Sequence, residues 1–224
     1  MNLSQSIRAY FQPGEKRRRL LMTILGVVLC CVSVGFFRQA AFGTDPFQCM
    51  CNGLDKVIPI DFGTLYVIIN VILLIIVFFM NKHYIGIATF INLFFTGYLC
   101  DLFEWAIVSC FGTPSMLVRI IYLVIGVVLM CYASALYFTA DLGVSTYDSI
   151  ALHLATVMKP PFKFIRIATD LICVLTGLAF GYIPGVGTII TAFFMGPLIT
   201  FFNVHCAQPL LVGATNSESL TRRK

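Results

Sequence analysis

Arg166 and Asp170 stand four residues apart inside an apolar run, Phe164 to Gly181. At that spacing the two side chains share one helix face, where they can pair with each other or exchange partners with a charged solute or an ion. Asp101 and Glu104 lie three residues apart near the end of a second apolar run. Paired carboxylates carry a proton or hold a cation; they also make interfacial partners for Arg38 or Arg119. Asn70 and Asn92 sit within apolar runs, where amides commonly hydrogen-bond between helices. Thr188 follows Gly185-Val186-Gly187, and Thr89 follows Gly86-Ile87-Ala88. Each threonine reads as the N-cap of a helix start, Gly185 and Gly187 let backbone approach a solute closely, and amides at a helix start favour a negative or strongly polar group. Asp45 before Pro46, and Ser145 in Gly143-Val144-Ser145, are two further cap candidates.

Other chemistries lack their residues. The chain has no Gly-x-x-x-x-Gly-Lys-Ser/Thr phosphate loop, no His-Glu-x-x-His pair and no Gly-x-Ser-x-Gly elbow. We therefore expect no catalytic residues, no metal, no cofactor and no enzymatic activity. Most of the nine cysteines fall within apolar runs and read as packing residues. Cys49-x-Cys51 with Cys110 is a weak disulfide or metal signal. Gly177-x-x-x-Gly181 permits close helix approach, within the chain or in a homodimer. His205 reads as a packing or interface residue.

The elements that position these residues follow from composition. Of 224 residues, 59% are hydrophobic and only 11% charged, with a mean hydropathy of +0.92. A soluble domain of this length needs more charged surface than that. The reading is an all-α integral membrane protein whose first partner is the lipid bilayer. The net charge of +5 is spread over connections rather than gathered on one face, so nucleic acid is not expected. Six spans are predicted: Leu20 to Phe37, Phe62 to Met80, Tyr84 to Cys110, Arg119 to Ala140, Phe164 to Gly181 and Val186 to His205. Residues 1–19 form a cytoplasmic N-terminal segment and 206–224 a cytoplasmic tail, expected to be disordered near its end. With both termini inside, 12 lysines and arginines lie on the cytoplasmic side and 3 outside.

The two halves resemble each other. Leu25-Gly26-Val27-Val28-Leu29 matches Ile125-Gly126-Val127-Val128-Leu129, and Arg19, Ala40, Gly43, Phe47 and Asn70 match Arg119, Ala140, Gly143, Tyr147 and Asp170. The offset is 100 residues, falling to 99 where Thr89 and Gly97 match Thr188 and Gly196. Residues 20–110 and 119–205 therefore read as two three-helix repeats. Three spans is an odd number, so the second repeat enters the membrane inverted, a plan common among secondary transporters. The internal match also makes Leu20 to Phe37 part of the fold rather than a signal peptide.

Two short helices are expected between spans. Ser145 to Met158 is about 20 Å long as a helix, too short to cross. Tyr147, Ile150, Ala151, Leu154 and Met158 share one face; Asp148, Ser149, His153 and Thr156 fill the other. Such a helix lies in the interface or re-enters the membrane as a half-helix. Inverted symmetry would place one on each side. The expected site lies between the halves, lined by Asp170, Asn70 and the starts at Thr188 and Thr89. Asp45 and Ser145 stand at opposite mouths, and Asn70 and Asp170 face opposite sides.

Gly43-Thr44-Asp45-Pro46-Phe47, Asp61-Phe62-Gly63-Thr64, Arg166 with Asp170, Gly185-Val186-Gly187-Thr188 and Gly196-Pro197 together carry a resemblance. Over Leu20 to Phe202 the chain resembles the YczE/YyaS/YitT-type bacterial integral membrane proteins. The resemblance implies a multi-span bundle in the bacterial plasma membrane and no particular substrate. The inverted plan and membrane acids point to a small secondary transporter for an unknown small polar solute, anionic if the helix-start amides receive it. The alternative is a non-transport assembly or regulatory partner in the membrane, which the compact size and absence of a strong site favour.

Overall fold

The computed structural model describes residues 13–43, 45–60, 62–111 and 114–212, with side chains at all of these except 13–16, 62, 87–88, 92–98, 111 and 212. The side chain of Asn92, the packing around Gly97, residues Thr44 and Asp61, the first twelve residues and the tail from 213 lie outside the described residues. Among the described residues every regular element is helical: α1 (Pro13–Ala40), α2 (Pro46–Asp55), α3 (Phe62–Met80), a 3₁₀ turn (Lys82–Tyr84), α4 (Ile87–Phe111), α5 (Met116–Ala140), α6 (Thr146–Met158), α7 (Phe162–Ala179), α8 (Val186–Phe202), a π turn (Asn203–Ala207) and α9 (Gln208–Val212). Among them four helices are long and apolar enough to cross a membrane: Arg17–Ala40, Gly63–Met80, Met116–Ala140 and Val186–Leu211. α3 is the plainest case. Ile72, Ile75 and Phe79 are exposed, an arrangement that is favourable against lipid and costly against water. The 18 residues of α7 instead include Lys163, Arg166 and Asp170.

α1 and α5 form the central antiparallel pair. A Cβ on Gly26 would sit 3.1 Å from the Ala133 carbonyl oxygen, so this glycine sets how closely the helices approach. Farther along, Ser33 Oγ donates to the Gly126 carbonyl at 2.7 Å, and Cys30 Sγ lies 3.5 Å from Met130 Sδ. Phe37, Tyr122, Val127, Met130, Met195 and Ile199 build the main core between these helices and α8.

Each helix of that pair ends in a left-handed turn that docks on another helix start. Ala41 (φ 56°) and Gly43 (φ 118°) follow α1; Asp141 (φ 55°) and Gly143 (φ 102°) follow α5. The Gly187 amide donates to the Phe42 carbonyl at 2.8 Å, fastening the first turn to the start of α8. The Val144 amide donates to the Tyr84 carbonyl at 3.1 Å, and Thr89 Oγ1 donates to the Val144 carbonyl at 2.8 Å, fastening the second to the start of α4. Glycine is required where these backbones touch: a Cβ on Gly43 would lie 2.5 Å from Thr188 Oγ1, and one on Gly143 would lie 2.6 Å from the Gly86 amide nitrogen. Two expected caps are corrected here. Gly185, not Thr188, is the N-cap of α8, and Thr89 lies inside α4. In α8 a neighbouring carbonyl satisfies an amide that a cap hydroxyl would otherwise take.

The short helices begin as expected. Asp45 Oδ1 accepts from the Phe47 and Gln48 amides at 3.0 and 3.1 Å, with Pro46 at the first helical position. Ser145 Oγ accepts from the Asp148 amide at 3.1 Å, and α6 stops at Lys159 (φ 66°) before Pro160 and Pro161. Caps of this kind are each worth about 1 kcal/mol. The N-terminal ends of α2 and α6 meet: the rings of Phe47 and Tyr147 stack at 5.2 Å and 21°. Their far ends diverge. Lys56 Nζ, just past α2, donates to the Gly181 carbonyl beyond α7 at 2.7 Å, whereas Thr156 near the end of α6 hydrogen-bonds Tyr84 at 3.3 Å. The polar face of α6 does not all look outward, as the periodicity suggested. Asp148 and Ser149 are buried while Met158 is 64% exposed, because Asp148 has a buried cationic partner. Gly177 packs within the chain, its would-be Cβ 2.6 Å from the Cys49 carbonyl oxygen, while Gly181 meets nothing within 4 Å.

Candidate functional site

α7 and α6 bring together a charged cluster. Arg166 is 5% exposed and Asp170, one turn on, is fully buried. Arg166 Nε donates to Asp170 Oδ2 at 3.2 Å, the pairing expected from the spacing. Its Nη1 donates to Asp148 Oδ1, a partner 18 residues back. The remaining oxygens are also occupied. Tyr147 Oη donates to Asp170 Oδ1 at 2.6 Å; Ser145 Oγ at 2.7 Å and the Tyr137 hydroxyl donate to Asp148 Oδ2. The guanidinium also lies over the Tyr147 ring, 4.7 Å from its centre. A buried ion pair is retained only when its lone pairs and protons are satisfied in this way. The cluster welds the first turn of α6 to the middle of α7.

Next to it lies a cavity of about 660 Å3, a volume suited to a small molecule. Arg166, Asp148 and Ser145 line one part of it; Asp45, Phe47, Tyr66 and Asn70 line another; Arg38 and Asp101 reach it as well. Asn70 accepts from Thr146 Oγ1 at 2.8 Å, so α3 is tied to the same first turn of α6. Arg38 Nη1 binds Asp101 Oδ1 at 2.6 Å and Glu104 Oε2 at 2.8 Å, and Gln39 adds a bond to Glu104 at 3.2 Å. The acidic pair of α4 is therefore matched to Arg38. Arg119 is not its partner, and its buried Nε has no hydrogen bond among the described residues.

Of the expected site residues, Arg166, Asn70, Thr89, Asp45, Ser145 and Asp101 line this one cavity. Asp170 stands behind Arg166 and Tyr147, and Glu104 acts through Arg38. Thr188, Gly185 and Gly187 hold the Phe42–Gly43 turn instead. Asp45 and Ser145, expected at opposite mouths, both line this one chamber, beside the stacked rings of Phe47 and Tyr147. Asn70 and Asp170, expected to face opposite sides, bond Thr146 and Tyr147, adjacent residues of α6. Sequence reasoning passed over Asp148, Tyr137 and Tyr147 as site residues. The spacing Ser145-x-x-Asp148 was the available signal, since a capping pair puts its acid beside the helix start. Cys49 and Cys51 are buried in α2, and Cys110 is exposed at the end of α4.

The site has the means to hold a small polar molecule: hydroxyls, an amide and charged groups converge on a chamber that is otherwise apolar. Comparison with known proteins gives relatives whose descriptions carry no function. A Bacillus subtilis protein described as uncharacterized protein YyaS is 26% identical over 178 residues, 80% of this chain and 89% of its own. A Haemophilus influenzae protein, described only as uncharacterized, is 23% identical over 182 residues, 81% of this chain and 79% of its own. No solved structure matches. The family of unknown function DUF6198 matches residues 17–204. With that match spanning every helix that lines the chamber, the chain is an α-helical membrane protein and belongs to the DUF6198 family.

Proposed function

We propose that this chain is a small secondary permease of the bacterial plasma membrane, built as a 3+3 inverted repeat of six spans with both termini cytoplasmic. The observation that carries the proposal is the pair α2 and α6. Their N-terminal ends share one cavity and their far ends lie at different places on the bundle. Irregular backbone at membrane depth is tolerated only where protein or a water-filled cavity satisfies it. The turns before α2 and α6 meet that condition through the Phe42–Gly187 and Tyr84–Val144 bonds. Half-helices meeting at a central chamber are a transporter device.

Several pairs one repeat apart support the inverted plan. Cys30 touches Met130, Phe47 stacks on Tyr147, and Gly43 and Gly143 take the same left-handed backbone in turns that dock on helix starts. On this reading α4 and α7 are the two remaining spans, α7 tolerating Arg166 and Asp170 because they pair inside the bundle. The solute is small and polar. It enters beside Asn70 and Ser145, next to the Arg166 cluster, whose guanidinium has two carboxylates to exchange between as the chamber opens.

A thermal-shift screen of the purified protein against amines, amino acids, carboxylates and sugars, followed by uptake into proteoliposomes, tests the proposal. Saturable uptake that Asp170→Asn abolishes while the protein stays folded supports it. An uptake-deficient wild type returns the chain to the alternative of an assembly or regulatory partner. Undiminished uptake by Asp170→Asn, with unchanged pH dependence, leaves Asp170 a purely structural anchor.

A further inference from the structure

The balance of charge around the chamber bears on what it accepts. Its two arginines, Arg38 and Arg166, are each bound by two carboxylates: Asp101 with Glu104, and Asp148 with Asp170. Asp45 is a further carboxylate, lining the cavity with Asp101 and Asp148. Among the described residues it has no ion-pair partner. Its Oδ1 takes the Phe47 and Gln48 amides, and the helix start behind it offsets only about half a charge.

The wall next to Asp45 is aromatic. Phe47 stacks on Tyr147 at 5.2 Å and meets Tyr66 edge-on at 5.8 Å. Val34, Met130 and Met195 extend the apolar lining. At α2 the Phe47 and Gln48 amides that an anion would use are taken by Asp45, and at α6 the Asp148 amide is taken by Ser145. An anion would therefore meet surplus negative charge and no unoccupied cation. A positive group would meet a carboxylate and aromatic side chains, the residue types that recognise organic ammonium ions.

We infer that the chamber binds a small organic cation with an apolar body, with Asp45 as its counter-ion and Phe47 and Tyr66 against its hydrocarbon part. This deepens the permease reading and rests on it, and it replaces the anionic solute that the helix starts alone suggested.

The experiment uses the full chain in detergent and three probes sharing one ring: benzyltrimethylammonium, benzyl alcohol and benzoate. The cation is expected to raise the melting temperature in a saturable way, and the other two are not. Asp45→Asn removes the charge but leaves an oxygen to accept the α2 amides, since asparagine caps as well as aspartate. It should fold with a melting temperature near wild type and lose at least tenfold in affinity for the cation. Asp45→Ser, which also keeps a cap, should behave alike. Stabilisation by benzoate instead would overturn the cation inference while leaving a solute chamber in place. Equal cation affinity in Asp45→Asn would overturn the role of Asp45. No shift with any probe would overturn the inference outright, and the permease reading would then be judged on the wider uptake panel.

Discussion

Replacing Arg166 by methionine should be among the most damaging single changes in this protein. The side chain is 5% exposed and serves Asp148 and Asp170 at once. Methionine fills much of the volume but leaves two carboxylates buried without a cation. Breaking a buried pair by removing one partner costs about 3–5 kcal/mol. The hydroxyls of Tyr137, Ser145 and Tyr147 remain on the carboxylates, which keeps the cost near about 4 kcal/mol, roughly a thousandfold in the unfolding equilibrium. The charge-free triple variant Arg166→Met/Asp148→Asn/Asp170→Asn should recover most of that loss, because no uncompensated charge is left. Arg38→Met is the internal control. Its partners Asp101 and Glu104 are 69% and 31% exposed, so screening should hold the cost to about 1 kcal/mol or less. Reversible unfolding in mixed micelles with increasing dodecyl sulfate reads all three. A cost for Arg166→Met no larger than for Arg38→Met, or a triple variant no more stable than the single, would refute the account of the cluster as buried and mutually compensated.

Further outcomes follow from the same contacts. Gly43→Ala should cost about 1–3 kcal/mol, since its Cβ would press on Thr188 Oγ1 at 2.5 Å from a backbone at φ 118°; a melting temperature equal to wild type would contradict the tight docking of that turn on α8. Asn70→Ala removes the acceptor of Thr146 Oγ1 and should cost about 1 kcal/mol, with Asn70→Asp, which keeps an acceptor, losing less. In a cysteine-free chain in intact cells, a cysteine at Val57 should react with an impermeant maleimide from outside and one at His83 should not; the reverse pattern would overturn the orientation.

Much of this architecture was legible in the sequence because it rests on local rules. Asp45-Pro46 and Ser145 mark their helix starts, Pro160-Pro161 ends α6, and Phe62 to Met80 is a helix over that range. The Arg166–Asp170 pair follows from one turn of helix. What stayed hidden depends on distant contacts. Asp148 looked like part of a solvent-facing stripe because periodicity assigns a face but not what covers it; Arg166, far along the chain, covers it. Thr188 looked like a cap because the sequence could not reveal that the Phe42 carbonyl meets the Gly187 amide. Asp45 and Ser145, matched across the halves, seemed to belong on opposite sides. Only the stacking of Phe47 on Tyr147 places both starts in one chamber.

The claim on which the permease reading depends is that Asp45 and Ser145 share a single solute chamber. Cysteine accessibility measures this directly. Asp45→Cys and Ser145→Cys, made separately in a cysteine-free chain, are exposed to a small impermeant methanethiosulfonate from each side of oriented vesicles. The account predicts that the two positions behave as one, reacting from the same side or sides at similar rates and protected together by a bound solute. Reaction at position 45 only from outside and at 145 only from inside would mean two separate interfacial helices, and would contradict it.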